Sequence, residues 1–183
     1  MIHDTEILDR LSAIDPIRFD GEVFRSTRKN LDPLVSSTSG GRWAPKDGPA
    51  VLYTSTEPDG ALAESAFHWS QFTPLPSKPM ALHRLGVSTG NTLRLLRADL
   101  TGLDVDWNRY READYERTQE IGAAVSFLEC DGLLVPSARW DCENLVIFTD
   151  NHDHSQRLEV LHTEEVDWVK WARLNKMLPS NPG

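Results

Sequence analysis

Apolar and polar positions along the chain switch between a helical and an alternating period. Ile7, Leu8, Leu11 and Ile14 recur at helical spacing behind Thr5, which predicts a short amphipathic helix capped by Thr5 and ended by Asp15-Pro16. Gly21 to Ser26 reads as a strand, and Ala50 to Thr54 as another. Between them, residues 30–48 hold three glycines, two prolines and the polar run Ser36-Ser37-Thr38-Ser39. That is the composition of a long irregular loop, and loops of this length usually carry function or are disordered.

Thr56-Glu57-Pro58-Asp59 has the form of a helix start with proline in the first turn, and the pattern predicts a helix from Pro58 to Trp69. Ala61, Leu62, Ser65, Ala66 and Trp69 form its buried stripe, and Glu64 stands beside that stripe near the N-terminal end, where it can face a cleft. Pro74, Pro76 and Pro79 make a stiff connector. Met80 to Val87 predicts a strand and Asn91 to Leu96 a further one, whereas Asp106 to Leu128 is helical in pattern and broken in two, with a small-residue face around Gly122. The apolar runs Gly132 to Val135 and Asn144 to Phe148 fit buried strands. Leu158 to His162 predicts one more strand, Thr163-Glu164-Glu165 the start of a short helix carrying Trp168 and Trp171, and residues 179–183 a frayed tail. Strands and helices mixed without regular alternation predict an α+β fold rather than a doubly wound parallel sheet.

Composition narrows the function. At 183 residues, without a Gly/Ser linker, charge block or internal repeat, the chain reads as a single domain with a sizeable core. A net charge of -9 repels the phosphates of nucleic acid, so direct nucleic-acid binding is not expected. The start Met1-Ile2-His3-Asp4-Thr5-Glu6 has no basic or apolar character of a signal peptide, and no run approaches membrane-spanning length, which predicts a cytoplasmic, soluble protein with no membrane partner. Two cysteines, Cys130 and Cys142, cannot build a disulfide framework and are expected as reduced core or near-core thiols. With His152 and His154 they match no zinc spacing, and no metal is expected.

The chemistry concentrates in a few segments. No phosphate-binding Gly-x-x-x-x-Gly-Lys loop, dinucleotide Gly-x-Gly-x-x-Gly turn or Gly-x-Ser-x-Gly elbow is present. What the chain offers is an arginine on a glycine loop, Gly40-Gly41-Arg42-Trp43, a strand tyrosine, Tyr53, and a helix carboxylate, Glu64. Those groups can hold an anionic dinucleotide and destabilise its glycosidic bond, which suggests attack on a nicotinamide nucleotide.

In order and spacing, Phe24-Arg25, Gly40-Gly41-Arg42-Trp43 with Pro45, Leu52-Tyr53-Thr54-Ser55, Ala61-Leu62-Ala63-Glu64, Gly122, and Gly132 to Ala138 followed by Asn144-Leu145-Val146 resemble the RES family of bacterial toxins. The resemblance spans about residues 24–148. It implies an ADP-ribosyltransferase-like arrangement of mixed and antiparallel sheet with flanking helices, in one RES-type domain over 1–183 with a core of about 19–162. It also implies consumption of NAD, with inorganic phosphate as a co-substrate option, and a cognate antitoxin carrying an Xre-like helix-turn-helix domain.

Each carried-over role can be weighed against physics. Arg42 and Arg25 suit the pyrophosphate, because guanidinium meets phosphate oxygens in a planar fork; the plain alternative is a surface ion pair. Tyr53 would stack on nicotinamide or bond the ribose, or else be a core aromatic, and Trp43 carries the same ambiguity. Glu64 would stabilise the oxocarbenium-like state, and can also orient or deprotonate the incoming nucleophile; its alternative is a solvated helix glutamate. Ser137, just beyond a strand, would bond ribose or phosphate, or cap a turn. Asn144 would bind substrate or satisfy its own backbone. His68, His83 and His162 have no distinguishing pattern. The expectation is therefore an NAD-degrading toxin, with a mono-ADP-ribosyltransferase or a catalytically silent interaction protein as the alternatives.

Overall fold

A computed structural model describes residues 3–179. Its centre is a ring of five strands. β1 (Ile17–Arg28) pairs antiparallel with β3 (Met80–Arg94) and touches β2 (Val51–Ser55) at Phe24 and Ser55. β2 pairs with β5 (Glu143–Phe148), β5 with β4 (Gly132–Pro136), and β4 runs parallel to the end of β3, which closes the ring. β6 (Leu158–Val166) adds to β3 outside it. The interior is filled from every ring strand: Val23, Leu52, Leu85, Val87, Leu134, Leu145 and Ile147 form one buried cluster. Side chains alternate across a strand, so their neighbours in sequence point outward.

Helices cover two outer flanks. α1 (Thr5–Ser12), α3 (Arg97–Gly102) and α4 (Glu116–Phe127) bring Ile7, Leu11, Leu100, Ile121 and Val125 against Val51, Leu133, Val146 and Phe148. On the other flank α2 (Pro58–Trp69) and α5 (Trp168–Leu174) pack Leu62, Ala66, Trp168 and Ala172 on Met80 and Leu82. This is an α+β fold, with α2 spanning the residues its amphipathic pattern predicts.

Four local expectations need correction. Asp4, not Thr5, caps α1 by accepting from the Glu6 amide at 2.9 Å, and the helix stops two residues short of Ile14 because the Ile14 amide closes a turn onto Leu11. Met80 to Arg94 is one strand where two were expected. The turn-like Gly90-Asn91 is absorbed as a bulge opposite Ile17 to Phe19, its amides held by the buried Asp131 carboxylate at 2.7 and 2.9 Å. α3 is six residues long, too short for a periodic signal. Thr163 to Glu165 extends β6 rather than opening a helix, since pairing with β3 continues through them; α5 is instead capped by Asp167, which accepts from the Lys170 amide at 3.0 Å. Of the predicted tail only Pro179 falls among the described residues. Cys130 is buried and Cys142 half-buried, both free thiols.

Candidate active site

The strand ends, α2 and the glycine loop enclose a cleft of about 260 Å³ whose walls include Arg25, Arg42, Trp43, Tyr53, Glu64, His68, Tyr115 and Asn144. Phe24 and Asn144, 120 residues apart in sequence, meet here because β1 touches β2 and β2 pairs with β5.

Glu64 is the fixed point. Proline sets the first turn of α2, and burial of Ala61, Leu62 and Ala66 against the strands leaves Glu64 facing inward, half-buried. Its Oε1 accepts from Ser137 Oγ and from Asn144 Nδ2, both at 2.9 Å. A carboxylate only accepts, so the amide nitrogen of Asn144 must face it. The amide oxygen, Oδ1, is thereby buried without a hydrogen-bond partner. A buried acceptor left open in a cleft is a place for a ligand's N–H or O–H.

Ser137 stands behind Glu64 rather than on the cleft wall. Its hydroxyl donates to Glu64 and accepts from the amides of Arg139 and Trp140 at 3.1 and 3.3 Å. Ser137, expected to bond ribose or phosphate, here spends its hydroxyl on the Glu64 carboxylate.

Arg42 lies between two aromatic rings, its guanidinium carbon 4.7 Å from the Tyr110 centroid and 4.6 Å from that of Tyr115. One Nη donates to the Glu112 carbonyl at 3.2 Å, and the planar group is held with donors to spare. Arg25 donates to the carbonyls of Tyr53 at 3.1 Å and Val35 at 3.2 Å, and its Nε is buried unpartnered. Burial depresses its pKa. Arg139, whose pKa burial also lowers, sits over the Phe67 ring with Nε and one Nη unpartnered. Among the described residues none of these three arginines pairs with a carboxylate, although Arg84, Arg94, Arg109, Arg117 and Arg157 all do. In a chain of net charge -9, two unneutralised guanidiniums on the cleft wall, with Arg139 nearby through its amide hydrogen bond to Ser137, make a local anion trap.

The glycine loop is held from inside. Trp43 is 2% exposed and belongs to the core cluster, although it also borders the cleft. The Tyr53 hydroxyl accepts from the Trp43 amide at 3.2 Å, and burial pushes the tyrosine up to about 12, which keeps it protonated. A Cβ at Gly41 would meet that hydroxyl at 2.7 Å. This glycine therefore serves the loop's approach to Tyr53. Gln119 of α4 completes the clamp by donating to the Gly41 carbonyl at 2.8 Å.

Sequence reasoning missed His68, Tyr110, Tyr115 and Arg139. For His68 a signal existed: it follows Glu64 by four residues and so shares its helix face. The tyrosines offered none, since only the docking of α4 brings them to Arg42.

A five-strand ring with flanking helices, and a carboxylate among unpaired arginines, defines a class. The RES domain family model matches residues 20–169, and the chain belongs to that family. Among solved structures it is similar to the toxin of the M. tuberculosis MbcT-MbcA toxin-antitoxin complex, at 20% sequence identity and a TM-score of 0.81, over 94% of this chain and 98% of that one. That likeness is one of fold. No curated protein matches in sequence. No described helix is long and apolar enough to cross a membrane.

Proposed function

We propose that this chain is the toxin of a bacterial toxin–antitoxin module and that it degrades NAD by breaking the nicotinamide–ribose bond. The observation that carries the reading is Glu64, held by Ser137 and Asn144 in a cleft whose arginines lack acidic partners. Family membership and the similarity to a toxin solved with its antitoxin support the biological role and the antitoxin partner; an Xre-like helix-turn-helix in that partner is the form the family resemblance favours.

Nicotinamide is already a cationic leaving group, so the site must supply orientation and electrostatics rather than a strong acid. Arg42 and Arg25 engage the pyrophosphate. The open Oδ1 of Asn144 accepts from a ribose hydroxyl or the carboxamide, and the Tyr53 ring walls the nicotinamide end. As the glycosidic bond lengthens, its electron pair leaves with nicotinamide. Glu64 opposes the positive charge that develops on the ribose, in an environment already organised before substrate arrives. Water or inorganic phosphate then completes the displacement, and no metal takes part.

The test is product analysis by mass after incubation of purified protein with NAD, with and without phosphate. Free nicotinamide together with ADP-ribose or its phosphate ester is expected. Intact NAD after prolonged incubation rules the activity out. In cells, induction should lower NAD and arrest growth, and co-expression of the neighbouring antitoxin gene should relieve both.

A further inference from the structure

His68 has no part in the scheme above, yet three observations bring it there. It lines the cleft, one helical turn after Glu64 on α2. Neither ring nitrogen is hydrogen-bonded among the described residues, whereas both nitrogens of His83 are taken by Thr27 and Thr163, and Nε2 of His152 by the Ser88 carbonyl. The His68 side chain is exposed, so its nitrogens are open to whatever enters the cleft. The ring is steadied instead by an edge contact with Phe67, centroids 5.5 Å apart. A cleft imidazole with free nitrogens is equipped to exchange a proton with something that enters.

The chemistry has an opening for such a group. Glu64 must remain charged while positive charge grows on the ribose, so it cannot also carry away the acceptor's proton in the same step. His68 is exposed at the surface, yet the cleft walls desolvate it in part and lower its pKa from its ordinary value; Glu64 on its own helix opposes that effect, and Arg139 and Arg42 reinforce it. Tyr115, Tyr53 and Arg25 are the other titratable groups that line the same cleft. The imidazole is therefore neutral at neutral pH, with a lone pair available.

We propose that His68 is the base that takes the proton from water as it attacks the ribose carbon. This inference rests on the NAD-cleaving reading. One O–H bond of the water breaks and its proton passes to a His68 ring nitrogen, while its oxygen forms the new bond to carbon. The C–N bond breaks with its electron pair on nicotinamide, which departs neutral, and the imidazolium then returns its proton to solvent. In sum, NAD and water give ADP-ribose, nicotinamide and one proton.

The experiment follows nicotinamide release by the full chain and by His68→Gln and His68→Asn between pH 5 and 9, with water alone, with phosphate, and with azide. Azide and inorganic phosphate are already anions and attack without losing a proton. Wild-type turnover with water should fall at acid pH as the imidazole protonates, with a midpoint below about 6.5. Both variants should turn over on the order of 10²-fold more slowly with water, lose the acid limb, and keep the KM for NAD within about twofold, the scale of an uninvolved residue. With azide or phosphate they should approach the wild-type rate. Variants as fast as wild type, variants equally slow with azide, or a wild type with no acid limb would each overturn the assignment; the last needs no folded variant. A wild type that releases no nicotinamide under any condition sinks the NAD-cleaving reading itself, and this inference with it.

Discussion

The side chain of Asn144 donates through Nδ2 to Glu64 Oε1 at 2.9 Å, while its own Oδ1 is buried with no partner. One amide thus fixes the carboxylate and leaves a desolvated acceptor beside it. An unpaired buried polar atom costs about 1–3 kcal/mol, a cost that bound substrate would offset. Glu64→Gln keeps an oxygen able to accept from Ser137 and Asn144 but removes the charge. The variant should fold as wild type by circular dichroism and thermal melt, and its NAD turnover should fall about 10²-fold or more. Undiminished turnover would remove Glu64 from the mechanism.

Arg42→Lys retains charge but gives up the planar group that fits between Tyr110 and Tyr115 and the fork that fits phosphate. Calorimetric titration should show NAD binding weakened about tenfold, or about 1.4 kcal/mol. An unchanged dissociation constant would place Arg42 outside the binding site. Arg25→Lys, measured beside it, should also loosen the loop through lost contacts to Tyr53 and Val35.

Tyr53→Phe deletes the acceptor of the Trp43 amide but keeps the ring. Loss of about 1 kcal/mol in urea unfolding is expected, with more residual activity than Tyr53→Ala. Equal loss of activity in the two variants would assign the role to the hydroxyl instead of the ring.

Gly122 packs on the backbone of the glycine loop: a Cβ there would lie 1.8 Å from the Trp43 carbonyl oxygen and 2.7 Å from its carbon. Backbone cannot step aside as a flexible side chain can. Gly122→Ala should cost about 1–3 kcal/mol or more as overpacking and lower the melting temperature by several degrees. A melting temperature equal to wild type would show that α4 can shift without cost.

Stability should fall on the acid side of neutrality. His83 is 4% exposed, and burial lowers its pKa. It is neutral in the folded and unfolded chain well above pH 6.5. As pH falls below the unfolded value of about 6.5, the unfolded chain binds a proton that the folded one refuses, so stability is lost until pH passes the depressed folded value. Urea unfolding at pH 7.5, 6.5 and 5.5 should show this decline. His83→Gln should flatten it by up to about 1.4 kcal/mol per pH unit; an unaltered slope would exclude His83 as a source.

What the sequence determined by itself was local. The stripe Ala61, Leu62, Ala66 defines α2 and sets Glu64 beside it, because burial periodicity within one helix needs no distant partner. The apolar runs of β4 and β5 were legible for the same reason. The order of motifs from Phe24 to Val146 also sufficed to point to the RES family. Tertiary structure decided whatever depends on groups remote in sequence. Thr163 joined β6 because β3 offered it a paired edge and His83 a hydrogen bond. Trp43 went to the core because α4 has a glycine where the loop backbone presses against it. Ser137 was turned onto Glu64, and Tyr110 and Tyr115 onto Arg42, by the docking of separate elements. Residue type states which bonds a side chain can make, but ring closure and helix docking bring the partner within about 3 Å, where the choice is made.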